Sequence, residues 1–175
     1  MRHPSRRRRH RKPPSPDCRT ASKPFPAEIE LASDLESYLH SNIPLSADMG
    51  VRVKFGTPDE VLLWAPLGPN INHHRTVFGG SGVVLATLSA WSLLHLRLQS
   101  EGIPAQLVIQ RSSMEYEKPI PGDFESRCRL GDVAAWQRFR DTLQRRARAR
   151  MTLEANLLHE GREMGAFVGD FVAML

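Results

Sequence analysis

The chain has 175 residues, 41% hydrophobic and 25% charged, with a formal net charge of +5. That balance excludes a wholly disordered or fibrous chain, and two cysteines are too few for a disulfide framework. The charge is uneven: residues 1–23 carry nine Lys and Arg against one acid, Asp17, for +8, while fifteen basic and eighteen acidic residues leave 24–175 at −3, so the pI of 9.8 belongs to the tail.

Residues 1–24 are rich in Arg, Pro and Ser, with no hydrophobic period. They read as a disordered basic tail, and 25–175 as one domain with its own core. The tail is either an inert extension or a tether to an anionic surface. No aromatic residues interleave its arginines, so nucleic-acid binding is the weaker reading. No apolar run follows Arg6, Arg7, Arg8 and Arg9, so no signal peptide is expected. Cys18 and Cys128 lie far apart, which suggests a reducing, cytoplasmic setting.

The first element is a helix: Ile29, Leu31, Leu35, Tyr38 and Leu39 recur at roughly helical spacing, and Pro44 is expected to end it. Residues 51–55 alternate as a strand, 56–59 form a turn, and 60–65 form a second strand, giving a hairpin. A polar loop at 66–78 leads into a long apolar helix over 79–98, which Gly102 and Pro104 terminate. Residues 76–96 contain no Asp, Glu, Lys or Arg, but their Gly, Ser, Thr and His content suits a helix buried in protein better than a membrane span. Strands follow at 105–117 and 124–130, around a turn at 119–123. The basic segment 136–149 reads as helix or loop, and strands at 150–159 and 163–174 form a closing hairpin about Glu160 and Gly161. One apolar helix among antiparallel strands predicts an α+β domain with the sheet wrapped around that helix.

The segment that carries chemistry runs from Asn70 to Ser81, Asn-Ile-Asn-His-His-Arg-Thr-Val-Phe-Gly-Gly-Ser. Polar residues crowd ahead of an apolar helix, and Gly79 and Gly80 stand at its start, where backbone N–H groups have no partner within the helix. Glycine admits a ligand close to that backbone, and a helix N-terminus favours developing negative charge, such as the oxyanion of a thioester under attack. The bland alternative is a capped helix start with a close-packed glycine pair and solvated histidines. Ser81 suits a capping residue.

The stretch 72–91, with Val108, Ile109 and Gln110, resembles the thioesterase domain at the C-terminus of YiiD-type proteins, a branch of the hotdog superfamily, over about residues 26–175. A second segment, Tyr116-Glu117-Lys118-Pro119-Ile120-Pro121-Gly122-Asp123, is similar to one that many hotdog thioesterases carry after their long strand. The resemblance implies a hotdog fold, an antiparallel sheet curled around a long central helix, paired as a homodimer or higher oligomer. It implies hydrolysis of acyl-CoA or acyl-carrier-protein thioesters, with no cofactor, no metal and no membrane partner.

By the same resemblance Asn72 and His74 match the Asn and His that precede the glycine pair in relatives of the phenylacetyl-CoA type. Gly79, Gly80 and Ser81 would hold the substrate carbonyl. Thr87 stands where those relatives place a carboxylate, and the helix 79–98 contains no acid. Thr87 would then assist by positioning water; otherwise the domain binds acyl-CoA without hydrolysing it, or its tail serves nucleic acid. A hotdog dehydratase is a weaker option.

Other residues remain open. His73 could replace His74, the two side chains being expected to point opposite ways in an extended loop. Neither has a third ligand at metal spacing. Ser81 and Ser89 lack a nucleophile elbow. Glu115 and Glu117, two apart on a strand, could supply a carboxylate from a neighbouring subunit or form a solvated face. Arg111 and Lys118 could meet CoA phosphates or be ordinary surface charges. Arg138, Arg140, Arg145, Arg146, Arg148 and Arg150 form either a solvated face or a patch for CoA phosphates or nucleic acid.

Overall fold

The computed structural model describes residues 32–175. The basic tail, its boundary near residue 24, and Ile29 and Leu31 lie outside the described residues.

Helix α1 (Ala32–Asn42) is followed at once by α2 (Pro44–Asp48). Pro44 thus stands just past the end of α1, as expected, and also begins a second helix: the first turn needs no N–H from it, and its fixed φ suits that position. Leu35 and Leu39, four apart, are fully buried and dock α1 on the domain.

Strands β1 (Arg52–Gly56) and β2 (Glu60–Ala65) pair antiparallel, with a bulge between Val53 and Phe55. A loop with one 3-10 turn (Gly68–Asn70) leads to α3 (Gly79–Ser100). Then come β3 (Gln106–Tyr116), β4 (Phe124–Arg129), α4 (Val133–Arg146), β5 (Arg148–His159) and β6 (Arg162–Met174). The six strands form one antiparallel sheet in the order β1-β2-β4-β5-β6-β3. The closing hairpin turns on Glu160 and Gly161, both at positive φ.

The sheet packs its inner face on α3, which touches every strand. Leu85, Leu93 and Leu94 are fully buried there, each worth about 2 kcal/mol of removed apolar surface. The helix is long and apolar enough to cross a bilayer, but 67% of its most apolar window is buried inside the domain. Two serines bring polarity into this interior and satisfy each other: Ser89 and Ser126 hydroxyls are 2.7 Å apart.

The ambiguous basic segment is helical. Asp132 caps α4, its side chain accepting from the Ala134 N–H at 2.8 Å. Trp136, Phe139 and Leu143 bury one stripe while the arginines take the other faces.

The two sheet edges differ. β1 is five residues long and bulged, whereas β3 runs eleven residues with an outer edge that no described strand covers. Val108 and Ile109 on β3 remain 47% and 39% exposed.

Candidate functional site

The loop ahead of α3 is built from backbone outward. Buried Asn70 donates from Nδ2 to the carbonyls of Met49 and Pro66, both at 2.8 Å, and its own carbonyl accepts from the Phe78 N–H at 2.7 Å. The Pro119–Asp123 turn clamps the same loop: the Ile120 carbonyl accepts from Val77 N–H at 2.9 Å, and the Asp123 carboxylate accepts from Leu67 N–H at 2.8 Å. The second sequence motif thus acts on the first by holding its start and end.

Asn72 ties the loop's tip. Its Oδ1 accepts from the N–H groups of His74 at 2.8 Å and Thr76 at 3.2 Å, while its Nδ2 donates to the Thr76 hydroxyl at 3.0 Å. The chain reverses here, with Arg75 at φ 61 and its N–H bonded to the Asn72 carbonyl at 3.0 Å. That reversal overturns one expectation. The loop is a tight turn, not extended, so His73 and His74 do not point apart; their rings meet at a tilt of 44° with centroids 3.8 Å from each other. Both are exposed.

Helix α3 starts without a side-chain cap. Its N-cap is Phe78, and Ser81 lies inside the first turn, so Ser81 is not the capping residue its position suggested. The backbone N–H groups of Gly79, Gly80 and Ser81 accordingly have no acceptor among the described residues. Glycine here admits close neighbours. A Cβ at Gly79 or Gly82 would come within 3.4–3.5 Å of the Tyr116 ring, and one at Gly80 would collide with the Phe78 ring at 2.2 Å.

Tyr116 thus lies along the first turn of α3, its hydroxyl donating to the Gly79 carbonyl at 2.5 Å. Tyr116 is 52% exposed, and desolvation by its partial burial raises the phenol pKa above its ordinary value.

Beside this turn lies a pocket of about 300 Å³, whose lining includes Asn72, Gly79, Tyr116, Glu117, Ile120 and Leu157. Asn72 and Gly79 of the expected site line it; Gly80 and Ser81 continue the same helix turn, while His74 faces solvent from the loop tip. Thr87 sits two turns further along α3, and its hydroxyl donates to the Val83 carbonyl at 2.8 Å. Glu117 is the carboxylate among the pocket's lining residues, supplied by the same chain, whereas Glu115 is not part of the lining. Among the described residues no His, Cys, Asp or Glu cluster is placed to hold a metal.

Three contributors were hard to foresee. Tyr116 stood in a recognisable motif without an assigned role, and Glu117 was weighed only as a carboxylate for a neighbouring subunit or as part of a solvated face. Leu157 carried no signal, because one apolar residue in an alternating strand looks like the next.

Comparison with known proteins fits this geometry. The family model described as "Putative thioesterase (yiiD_Cterm)" matches residues 32–175. A solved structure titled a "putative thioesterase" from Shewanella oneidensis is 30% identical, with a TM-score of 0.74, covering 82% of this chain and 97% of that one. A protein of unknown function from Chlorobaculum tepidum TLS is 28% identical, with a TM-score of 0.76 over 82% and 93% of the two chains. A thioesterase from Haemophilus influenzae, 15% identical with a TM-score of 0.65, covering 85% of this chain and 93% of its own, shares the fold. The chain therefore belongs to the YiiD C-terminal thioesterase family, and its sheet around α3 is a hotdog fold.

Proposed function

We propose that the chain hydrolyses a thioester joining an acyl group to coenzyme A or to an acyl carrier protein, at the start of α3. The observation that carries this reading is the set of unpartnered Gly79, Gly80 and Ser81 amides beside a pocket with apolar walls at Val77, Ile120 and Leu157. Preorganised N–H groups in a partly dry site stabilise the oxyanion that forms when water adds to the carbonyl. Gly80 N–H is our choice for the principal donor.

The water must lose a proton as it attacks. Glu117 is the pocket carboxylate, so it takes that proton and returns it to the departing thiolate. The products are a carboxylic acid and a thiol. Asn72 holds the loop, and His74 reaches the bound thioester by turning off His73. Thr87 assists only if its hydroxyl leaves the Val83 carbonyl.

We further propose a homodimer formed through the outer edge of β3, a long unpaired edge with exposed Val108 and Ile109. A cytoplasmic location accords with the buried, reduced Cys128, whose thiol burial pushes up to about 12.

A second reading is a non-catalytic acyl-CoA-binding module, favoured by the absence of any acid on α3. Thiol release from a panel of acyl-CoAs and an acylated carrier protein separates the two. Turnover by the wild type, reduced in Glu117→Gln and in a His74→Ala, Thr87→Ala double variant, supports hydrolysis. Tight binding with no turnover on any thioester rejects it in favour of the binding module.

A further inference from the structure

The basic run from 138 to 150 divides into two halves in the fold. Arg138 pairs with Asp132 at 3.3 Å, Arg140 with Asp141 at 3.2 Å and Glu101 at 3.6 Å, and Arg145 donates to the Asp141 carbonyl at 3.1 Å. Arg146, Arg148 and Arg150 have no carboxylate partner among the described residues. All three are exposed and line one cleft of about 250 Å³, with Thr142, Ala149 and Val172.

The chain path holds these charges together. Arg148 and Arg150 are two apart on β5 and so share a face. Arg146 ends α4, and Ala147, at φ 54, turns the chain directly into β5. A left-handed alanine costs about 1–2 kcal/mol, which glycine would avoid. Three cations crowded this way also repel one another.

A second cleft on the same sheet gives the contrast. It is nearly the same size, about 240 Å³, but there Arg127 and Arg129 face Glu154 and Glu163. Both arginines also reach Glu60, at 3.3 and 3.0 Å. The fold neutralises its arginines in one cleft and leaves the other wholly basic. Asp170, paired across the strands with Thr152, is engaged by the Thr152 hydroxyl at 2.7 Å.

We propose that the Arg146, Arg148 and Arg150 cleft binds the phosphates of a small molecule carrying a diphosphate. Each guanidinium offers a planar fork that fits two phosphate oxygens, and three unused forks suit more than one phosphate. Val172 and Ala149, both buried, form the floor of the cleft. The cleft is separate from the α3 pocket of its own chain. Arg150 and Leu157 stand seven residues apart on β5, about 23 Å at 3.3 Å per residue. The inference thus does not depend on thioester hydrolysis.

Two sources carry this chemistry, a free nucleoside diphosphate and coenzyme A. Calorimetric titration of the full chain with pyrophosphate, ADP and free coenzyme A tests it, beside an Arg146→Gln, Arg148→Gln, Arg150→Gln variant. The basic tail is present in both proteins, so it cancels in the comparison. We expect salt-sensitive binding that weakens at least tenfold in the triple variant and is unchanged in Arg138→Gln, with an unaltered urea midpoint throughout. Stronger binding of coenzyme A than of ADP assigns the cleft to the coenzyme; equal binding assigns it to the shared diphosphate. Equal affinity in wild type and triple variant, or an equal loss in Arg138→Gln, overturns the proposal.

Discussion

The two ends of α3 have opposite surroundings. At its start, three amides lack partners among the described residues, glycines replace side chains, and a pocket of about 300 Å³ opens beside Tyr116. Past its middle, Leu93 and Leu94 are fully buried, and His95 lies between aromatic rings, its centroid 4.8 Å from Tyr38 and 4.6 Å from Trp91. One helix therefore carries the site at an end with little packing, and the stability of that end is supplied from elsewhere along its length. Substitutions at the two ends should separate function from folding.

The largest expected effect lies at the packed end. Leu94→Ala leaves a cavity under the sheet and should cost about 2–5 kcal/mol in urea denaturation. A loss below about 1 kcal/mol would mean that the sheet collapses onto the gap.

Next is Gly79→Pro at the open end. Proline is tolerated at a first helical position, and Phe78 before it is already extended at φ −64, ψ 130. The N–H is lost, and the ring carbons come into ordinary contact with Tyr116, 3.4 Å from a Cβ at this position. Stability should stay within about 0.5 kcal/mol. If this amide shares the oxyanion with Gly80, turnover should fall about 10²–10³-fold.

His95 gives the packed end a pH signature. Burial lowers its pKa from 6.5 to about 4. As pH falls, the unfolded chain takes up this proton before the folded one does. The His95 contribution is therefore complete above pH 6.5 and is lost as pH drops toward 4, up to about 3 kcal/mol in all. His95→Phe should flatten that part of the stability-against-pH curve, and an unchanged curve would rule the group out.

Asn72→Ala removes the clasp of the loop tip and should cost about 1–2 kcal/mol of local order, read as faster amide exchange at His74 and Thr76. Smallest is Thr87→Val, which loses one bond to the Val83 carbonyl. It should leave stability within about 0.5 kcal/mol and lower turnover less than tenfold.

Much of this contrast was legible in the sequence. Period-two alternation and the breaker residues located β2 and the closing hairpin, and the apolar run 79–98 located the buried helix. The glycine pair marked the helix start because amides there need partners from elsewhere. Features that depend on contacts distant in sequence were not legible. Pro44 marked the end of α1, but nothing around it showed that a second helix starts there. The tilted contact of His73 with His74 follows from a turn that Arg75 closes at positive φ, unusual for a residue with a side chain. Tyr116 meets Gly79 across 37 residues, and no local pattern encodes that encounter.

The most direct test of thioester chemistry at the start of α3 is a structure with a non-hydrolysable acyl-CoA analogue. The account predicts the carbonyl oxygen about 3 Å from the amides of Gly79 to Ser81, with the acyl chain against Ile120 and Leu157. An acyl group bound elsewhere, with those amides still facing water, would contradict it.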